Sequence, residues 1–207
     1  MSAPPKNYFK LSWLHPTCHI HGILYNDTMT PEITIQEFDS FLVRKELTFR
    51  GVVIGATALA LLGVISRETR DCDILDPEIP PALKDAARDF ALGKRKSGQI
   101  LSEKWLNNGP ESLKKNLPSG WIKRCVPLFS GKALTLLTLG RSDFLKTKLF
   151  AFCDRQQDLE DCIALTPTHT ELAEAIEWVT RQDTNPAWPK HVKDSFQMLR
   201  KRLGYGI

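Results

Sequence analysis

The chain has 207 residues, of which 42% are hydrophobic and 25% are charged; this is the composition of a globular protein and excludes disorder for most of its length. The length fits one domain, or one domain with a small extension. The formal net charge of +4 is compatible with a polyanionic partner but does not require one.

Cysteine usage and the distribution of apolar residues bear on where the protein functions. The five cysteines are odd in number and form no Cys-x-x-Cys pair, which favours reduced thiols over a disulfide framework. No apolar run reaches the roughly 18 residues of a membrane span, and the N-terminal sequence MSAPPKNYFK lacks the apolar region of a secretory signal. These features predict a cytoplasmic protein with no membrane partner.

Residues 1–28 contain several prolines and no sustained periodicity, which predicts an N-terminal extension. Four of its residues resemble a metal cluster but fit no standard zinc spacing: His15, Cys18, His19 and His21. An α/β core is predicted over residues 29–140, where Thr30 can cap the first amphipathic helix.

The core pattern continues with a buried strand at 49–55, an apolar helix at 56–65 and a second strand at 70–76. A helix at 80–96 follows and then a loop-rich stretch at 101–121. The remaining elements are a hairpin formed by 125–129 and 133–139, and helices at 143–154, 158–165, 169–182 and 190–203. The predicted class is therefore α/β (α+β), with a small mixed sheet of about four strands, flanking helices, and a helical region at 141–207 that completes the site.

Two acidic residues and a strand–glycine–helix junction form the most informative pattern. Asp71 and Asp73 are two positions apart on a predicted strand, so their side chains project from one face and can approach magnesium ions. Gly55 ends the preceding strand, and its missing Cβ allows a ligand to approach the backbone closely. The free N–H groups at the start of the next helix, which contains Thr57, favour a phosphate. Because only about 16 residues separate the two motifs, both are expected at one end of adjacent strands.

These motifs resemble the nucleotidyltransferase superfamily with the DNA-polymerase-beta-like fold, and within it the minimal bacterial branch of AbiEii-type toxins and related nucleotidyltransferases. The opening motif reads Gly55-Ala56-Thr57-Ala58-Leu59, and the acidic motif reads Arg67-Glu68-Thr69-Arg70-Asp71-Cys72-Asp73. A downstream Lys-Leu-x-Ala helix with a following arginine and Asp-x-x-Asp pair is matched by Lys148–Ala151, Arg155, Asp158 and Asp161. The resemblance covers about residues 48–179.

The resemblance implies a magnesium-dependent transfer of a nucleoside monophosphate from an NTP to an RNA or protein acceptor. Asp71 and Asp73 would bind Mg²⁺ and act catalytically with Lys148 and Asp158. Three residues would contact the nucleotide, namely Gly55, Thr57 and Arg67, and two more would add polar groups, namely Arg155 and Asp161. The toxin branch further implies a role in a toxin–antitoxin pair with a cognate antitoxin as partner.

The sequence departs from the family pattern at two places. Ala56 stands where the family has a second glycine or a serine, and the predicted strand at 133–139 lacks the third carboxylate of polymerase-like relatives. Asp158 or Asp161 would then have to substitute for that carboxylate. A catalytically impaired binding or regulatory protein of the same fold is therefore an open alternative.

Simpler structural roles remain open for several of these residues. Lys148 could be a surface lysine, and Asp158 and Asp161 could simply favour the start of a helix. Between residues 84 and 124 there are ten Lys or Arg residues against four Asp or Glu, so a nucleic-acid-binding protein without chemistry is a further alternative. Two cysteines are expected in the core, namely Cys153 and Cys162, and three tryptophans are expected to pack helices, namely Trp121, Trp178 and Trp188.

Overall fold

A computed structural model describes residues 30–66, 69, 71–109 and 111–206. Its strands are β1 (Phe49–Ile54), β2 (Cys72–Asp76), β3 (Leu106–Asn107), β4 (Val126–Ser130) and β5 (Leu134–Thr138). Its helices are α1 (Pro31–Arg44), α2 (Gly55–Leu61), α3 (Pro81–Lys96), α4 (Arg141–Arg155), α5 (Leu159–Ala164), α6 (His169–Thr180) and α7 (Trp188–Arg202). Two short 3₁₀ helices lie between β3 and β4, at Glu111–Lys115 and Trp121–Arg124.

The strands form one mixed sheet in the order β3-β2-β1-β5-β4. β1 is antiparallel to β2 and parallel to β5, β2 is parallel to β3, and β4 is antiparallel to β5. This arrangement brings the end of β1, the start of β2 and the end of β5 to one edge of the sheet. The α/β class is confirmed, with five strands in the described residues instead of about four.

The helix α1 begins where its sequence predicts. The Thr30 hydroxyl accepts a hydrogen bond from the Ile33 backbone amide, and Pro31 fits the first turn because its missing N–H would have had no partner there. The apolar side of α1 packs against α3 around Phe38, which is fully buried between Phe90 and Trp105. Burying such a side chain stabilises the fold by about 1.5–3 kcal/mol.

The helical region after β5 packs mainly on itself. Helix α4 contacts α5, α6 and α7. Phe150 lies edge-on to both Trp178 and Trp188, and the Trp188 indole donates a hydrogen bond to the Val179 carbonyl. The prediction that these tryptophans pack helices is confirmed, and so is the burial of Cys153.

The strand β3 is the main element that the pattern of residues 101–121 does not predict. It has only two residues, too few to show a period-two alternation. Its position depends on the neighbouring Asn108, whose side-chain oxygen accepts from the Ile79 amide and whose NH₂ donates to the Ile74 and Pro77 carbonyls. These long-range bonds fasten the strand beside β2.

The helices also differ from prediction at their ends. α2 ends at Leu61 instead of continuing to residue 65, because Gly63 takes a positive φ of 69° that closes the helix. α7 starts at Trp188, two residues earlier than predicted. In the part of the chain that the model describes, every helix is too short or too polar to cross a membrane.

Candidate active site

The candidate site lies at the sheet edge where β1 ends and β2 begins. Asp73 in β2 pairs with Ile54, the last residue of β1, so its side chain lies beside Gly55. Gly55 has a φ of 78°, and a Cβ built on it would lie only 2.8 Å from Asp73 Oδ2. A side chain at position 55 would therefore be strained and would also occupy the space next to the carboxylate.

Asp71 directly precedes β2 and is exposed, whereas Asp73 is half-buried. Burial raises the pKa of the Asp73 carboxyl, and the negative charge of Asp71 adds to that rise. The positive charges of Lys148 and Arg155 act on the same pKa in the opposite direction. Residues that are distant in sequence therefore share one electrostatic environment.

Thr57 is buried and supports the chain at Asp71. Its hydroxyl donates a 2.6 Å hydrogen bond to the Asp71 backbone carbonyl and lies 2.7 Å from the Thr69 hydroxyl. Because that proton is committed, the geometry gives Thr57 the role of fixing the start of β2.

The helices after the sheet contribute a buried ionic cluster. Lys148 Nζ donates to Asp158 Oδ1 at 2.9 Å and to Asp161 Oδ2 at 2.7 Å, and all three side chains are nearly inaccessible. Arg155 donates to the other oxygen of Asp158 at 3.0 Å. The interpretation of Lys148 as a surface lysine is therefore wrong, because two carboxylates compensate for its desolvation.

A comparison with family models decides the family. Residues 33–179 match the model described as a nucleotidyltransferase of unknown function (DUF6036). The chain belongs to this nucleotidyltransferase family. Comparison with curated proteins and with solved structures gives no match.

Asp71 and Asp73 are the candidate magnesium ligands of this site. Asp71 and Asp73 offer carboxylate oxygens, which Mg²⁺ prefers, and Asp73 Oδ2 lies beside Gly55 at the start of α2. Within the described ranges, no cluster of three or more His, Cys, Asp or Glu side chains is arranged to hold a metal. Two carboxylates suffice when substrate phosphates and water complete the coordination, so the donor set fits magnesium bound together with a nucleotide.

Asn107 is the site residue that sequence reasoning misses. It pairs with Asp73 across the parallel β2–β3 ladder, and its amide hydrogen-bonds with the Asp73 carboxyl and thereby lowers its pKa. The sequence Asn107-Asn108-Gly109-Pro110 is typical of a turn, and the bonds of Asn108 that place this segment beside β2 span about 30 residues. Only the polar pair directly before a glycine could have drawn attention to it.

Several other expectations can be compared with the structure. Arg67 and the four His and Cys residues of the N-terminal extension lie outside the described residues. Ala56 is half-buried on α2, and β5 carries no carboxylate, as its sequence predicts. Burial raises the pKa of the Cys153 and Cys162 thiols, which agrees with core positions and not with nucleophiles.

The basic segment 84–124 is largely balanced by neighbouring acids. Among the side chains that the model describes, six of its ten Lys or Arg residues form ion pairs, namely Lys84, Arg88, Lys94, Arg95, Lys114 and Arg124. Arg124, for example, makes two hydrogen bonds to the buried carboxylate of Asp143. This pairing weakens the argument for a nucleic-acid surface based on charge excess alone.

Proposed function

We propose that this protein is a magnesium-dependent nucleotidyltransferase that transfers a nucleoside monophosphate from an NTP to an RNA or protein acceptor. The observation that carries the proposal is the position of the Asp73 carboxyl beside Gly55 and close to Asp71, where β1 ends and β2 begins, in a chain from a nucleotidyltransferase family. Two acidic groups next to a position without a Cβ suit a metal–triphosphate ligand.

The reaction would be an in-line displacement at the α-phosphorus. An acceptor hydroxyl oxygen forms a new P–O bond, the bond from the α-phosphorus to the bridging oxygen breaks, and pyrophosphate leaves with that electron pair. Magnesium on Asp71 and Asp73 would neutralise charge on the transferring group. Thr57 holds the backbone of Asp71 in place, and the missing Cβ of Gly55 accommodates the Asp73 carboxylate.

The ionic cluster has a supporting role in this proposal. Lys148 is held by two carboxylates, so its positive charge reaches Asp73 through space, without direct contact to the nucleotide. Arg155 is exposed on one side and paired with Asp158 on the other, which leaves part of its guanidinium available to an incoming phosphate. Asp158 and Asp161 keep both cations oriented.

The test is incubation of the purified protein with each α-³²P-labelled NTP, Mg²⁺ and either total RNA or total protein. Covalent label that depends on Mg²⁺ and is lost in Asp73→Asn supports the proposal. Asp85→Asn, which changes an exposed aspartate at the start of α3, is the matched control. Unchanged labelling in Asp73→Asn, or no labelling with any NTP, contradicts the proposal.

The resemblance to AbiEii-type toxins supports a narrower proposal, in which the protein is the toxin of a toxin–antitoxin pair and is neutralised by a cognate antitoxin. Induced expression in a bacterial host should then arrest growth, and Asp73→Asn expressed to the same level should not. Equal growth with both proteins contradicts the toxin role and leaves the transfer reaction to the labelling test.

A second candidate function is binding of a nucleotide without transfer. It is favoured by Asn107, because this amide stands beside Asp73 where a further carboxylate could have contributed charge. Tight Mg²⁺-dependent NTP binding without transfer to any acceptor would select this alternative.

A further inference from the structure

The two oxygens of the Asp73 carboxylate face different parts of the site. Oδ2 faces the β1–α2 junction, since it is the atom nearest to a Cβ built on Gly55. Oδ1 faces the exit of β3, where it would lie 3.9 Å from a Cβ built on Gly109. The carboxylate therefore lies between two glycines, with one oxygen toward each.

The amide of Asn107 lies on the Oδ1 side with a defined orientation. Its oxygen accepts a 2.6 Å hydrogen bond from the Gly109 backbone amide. The NH₂ group is therefore the end that faces Asp73, its partner across the β2–β3 ladder. A Cβ at position 109 would lie 2.8 Å from the Asn107 oxygen, so the glycine is needed for this arrangement.

The anchoring of β3 makes this arrangement rigid. The next residue, Asn108, bonds to the Ile79 amide and to the Ile74 and Pro77 carbonyls at distances of 2.9–3.1 Å. The Asn107 side chain cannot turn away from Asp73 without losing its own hydrogen bond from the Gly109 amide. The donor beside Asp73 is thus built into the fold.

A site with two divalent cations places them about 3.5–4 Å apart and needs a carboxylate that reaches both of them. On Asp73, the oxygen toward β3 faces an N–H donor, and the same space cannot also hold a cation. A second cation would also lack a carboxylate partner from β3, because position 107 is an amide. The other oxygen, Oδ2, lies on the Gly55 side of the carboxylate.

We propose that Asn107 limits this site to a single divalent cation, bound through the Gly55 side of Asp73, and that its amide takes the place that a second cation would have. The inference rests on the proposed function, since it concerns the metal that would accompany the nucleotide. Asn107 acts as a positioning residue in this proposal: it orients the carboxylate and excludes a second ion.

The test counts cations without measuring turnover. Wild-type protein is saturated with each α,β-methylene NTP analogue and titrated with Mn²⁺, and bound Mn²⁺ per bound nucleotide is measured by calorimetry and by electron paramagnetic resonance. We expect one Mn²⁺ per nucleotide and no spin coupling between neighbouring ions. Asn107→Asp keeps the acceptor for the Gly109 amide and replaces the donor with a carboxylate, so we expect two coupled Mn²⁺ ions. Asn116→Asp, on an exposed asparagine, is the isosteric control and should bind one.

The possible outcomes separate the inference about Asn107 from the proposed function. Two coupled Mn²⁺ ions in the wild type overturn this inference and leave the proposed function standing. One ion in both wild type and Asn107→Asp overturns the role of Asn107 in exclusion. No Mn²⁺ bound with any nucleotide analogue overturns the inference and the proposed function together. The wild-type measurement stands even if Asn107→Asp fails to fold, which circular dichroism would show.

Discussion

Two aspartates, Asp39 on α1 and Asp73 on β2, differ in how the fold treats the same carboxyl group: Asp39 has a structural role, whereas the role proposed for Asp73 is functional. Asp39 is almost fully buried and accepts hydrogen bonds from the backbone amides of Lys132, Ala133 and Leu134, at 2.7–3.1 Å. Burial alone would raise its pKa, but these three bonds and the charge of Lys132 outweigh burial, so the pKa of Asp39 is lowered.

For the Asp73 carboxyl, the contributions that raise the pKa outweigh those that lower it. Burial raises its pKa, and the Asn107 amide and two distant cations only partly offset that rise. Asp39 has donors on both oxygens and holds α1 to the turn between β4 and β5. The Asp73 carboxylate lies against Gly55, with Oδ2 as its nearest atom. A carboxylate whose charge the fold leaves incompletely satisfied is suited to a positive ligand.

The largest effect on stability is expected at Lys148, because two buried carboxylates compensate its positive charge. Lys148→Met leaves two buried carboxylates without their common cation, and breaking a buried pair in this way costs about 3–5 kcal/mol. Chemical denaturation should show this loss, whereas Lys193→Met on an exposed position of α7 should change stability by less than about 0.5 kcal/mol. Equal effects of both substitutions would contradict the structural account of the cluster.

A loss of function is expected when Asp73 is changed. Asp73→Asn should lower transfer on the order of 10²-fold or more, the usual effect of removing a group that stabilises charge in the transition state. Because burial raises the folded-state pKa, ionised Asp73 opposes folding above the unfolded pKa of about 3.9, and the variant should melt at a higher temperature at pH 7. The gain should vanish below that pKa. A lower melting temperature of Asp73→Asn at pH 7 would contradict the contrast drawn between Asp73 and Asp39.

The same replacement at Asp39 should act in the opposite direction. Asp39→Asn is expected to lose about 1.5–3 kcal/mol at pH 7, because one acceptor and its charge are removed from three buried amides. The lowered folded-state pKa stabilises the fold above the unfolded pKa of about 3.9, and this stabilisation is lost as the pH falls through the folded-state value. Denaturation of wild type and variant from pH 7 to pH 2 should therefore show a difference that narrows with acid. A difference independent of pH would contradict the role of the charge.

A smaller effect is expected at Gly131, which lies against Asp39. A Cβ at this position would overlap the Asp39 carboxylate, so Gly131→Ala should cost about 1–3 kcal/mol as an overpacked contact. In an Asp39→Ala background the same change should cost less, because the obstructing group is gone. Additive losses in the double variant would show that the glycine has another role.

The sequence predicts much of the site where local pattern decides the structure. The alternation around β2 and the glycine after β1 are local signals, and they place Asp73 and Gly55 correctly beside each other. Asn107 could not be predicted in the same way, because a two-residue strand has no period and depends on distant bonds from Asn108. The burial of Lys148 could not be predicted from local pattern either, because its partners Asp158 and Asp161 belong to the loop and helix that follow α4.

The central claim is that Asp73 holds a divalent cation together with a nucleotide, and calorimetry tests it most directly. Wild-type protein, Asp73→Asn and Asp85→Asn are titrated with each α,β-methylene NTP analogue, once with Mg²⁺ and once with excess chelator. We expect binding by the wild type and by Asp85→Asn that requires Mg²⁺, and an affinity at least about tenfold weaker in Asp73→Asn, since one ligand and its charge are lost. Equal affinity in wild type and Asp73→Asn, or binding that is the same with and without Mg²⁺, would contradict the claim.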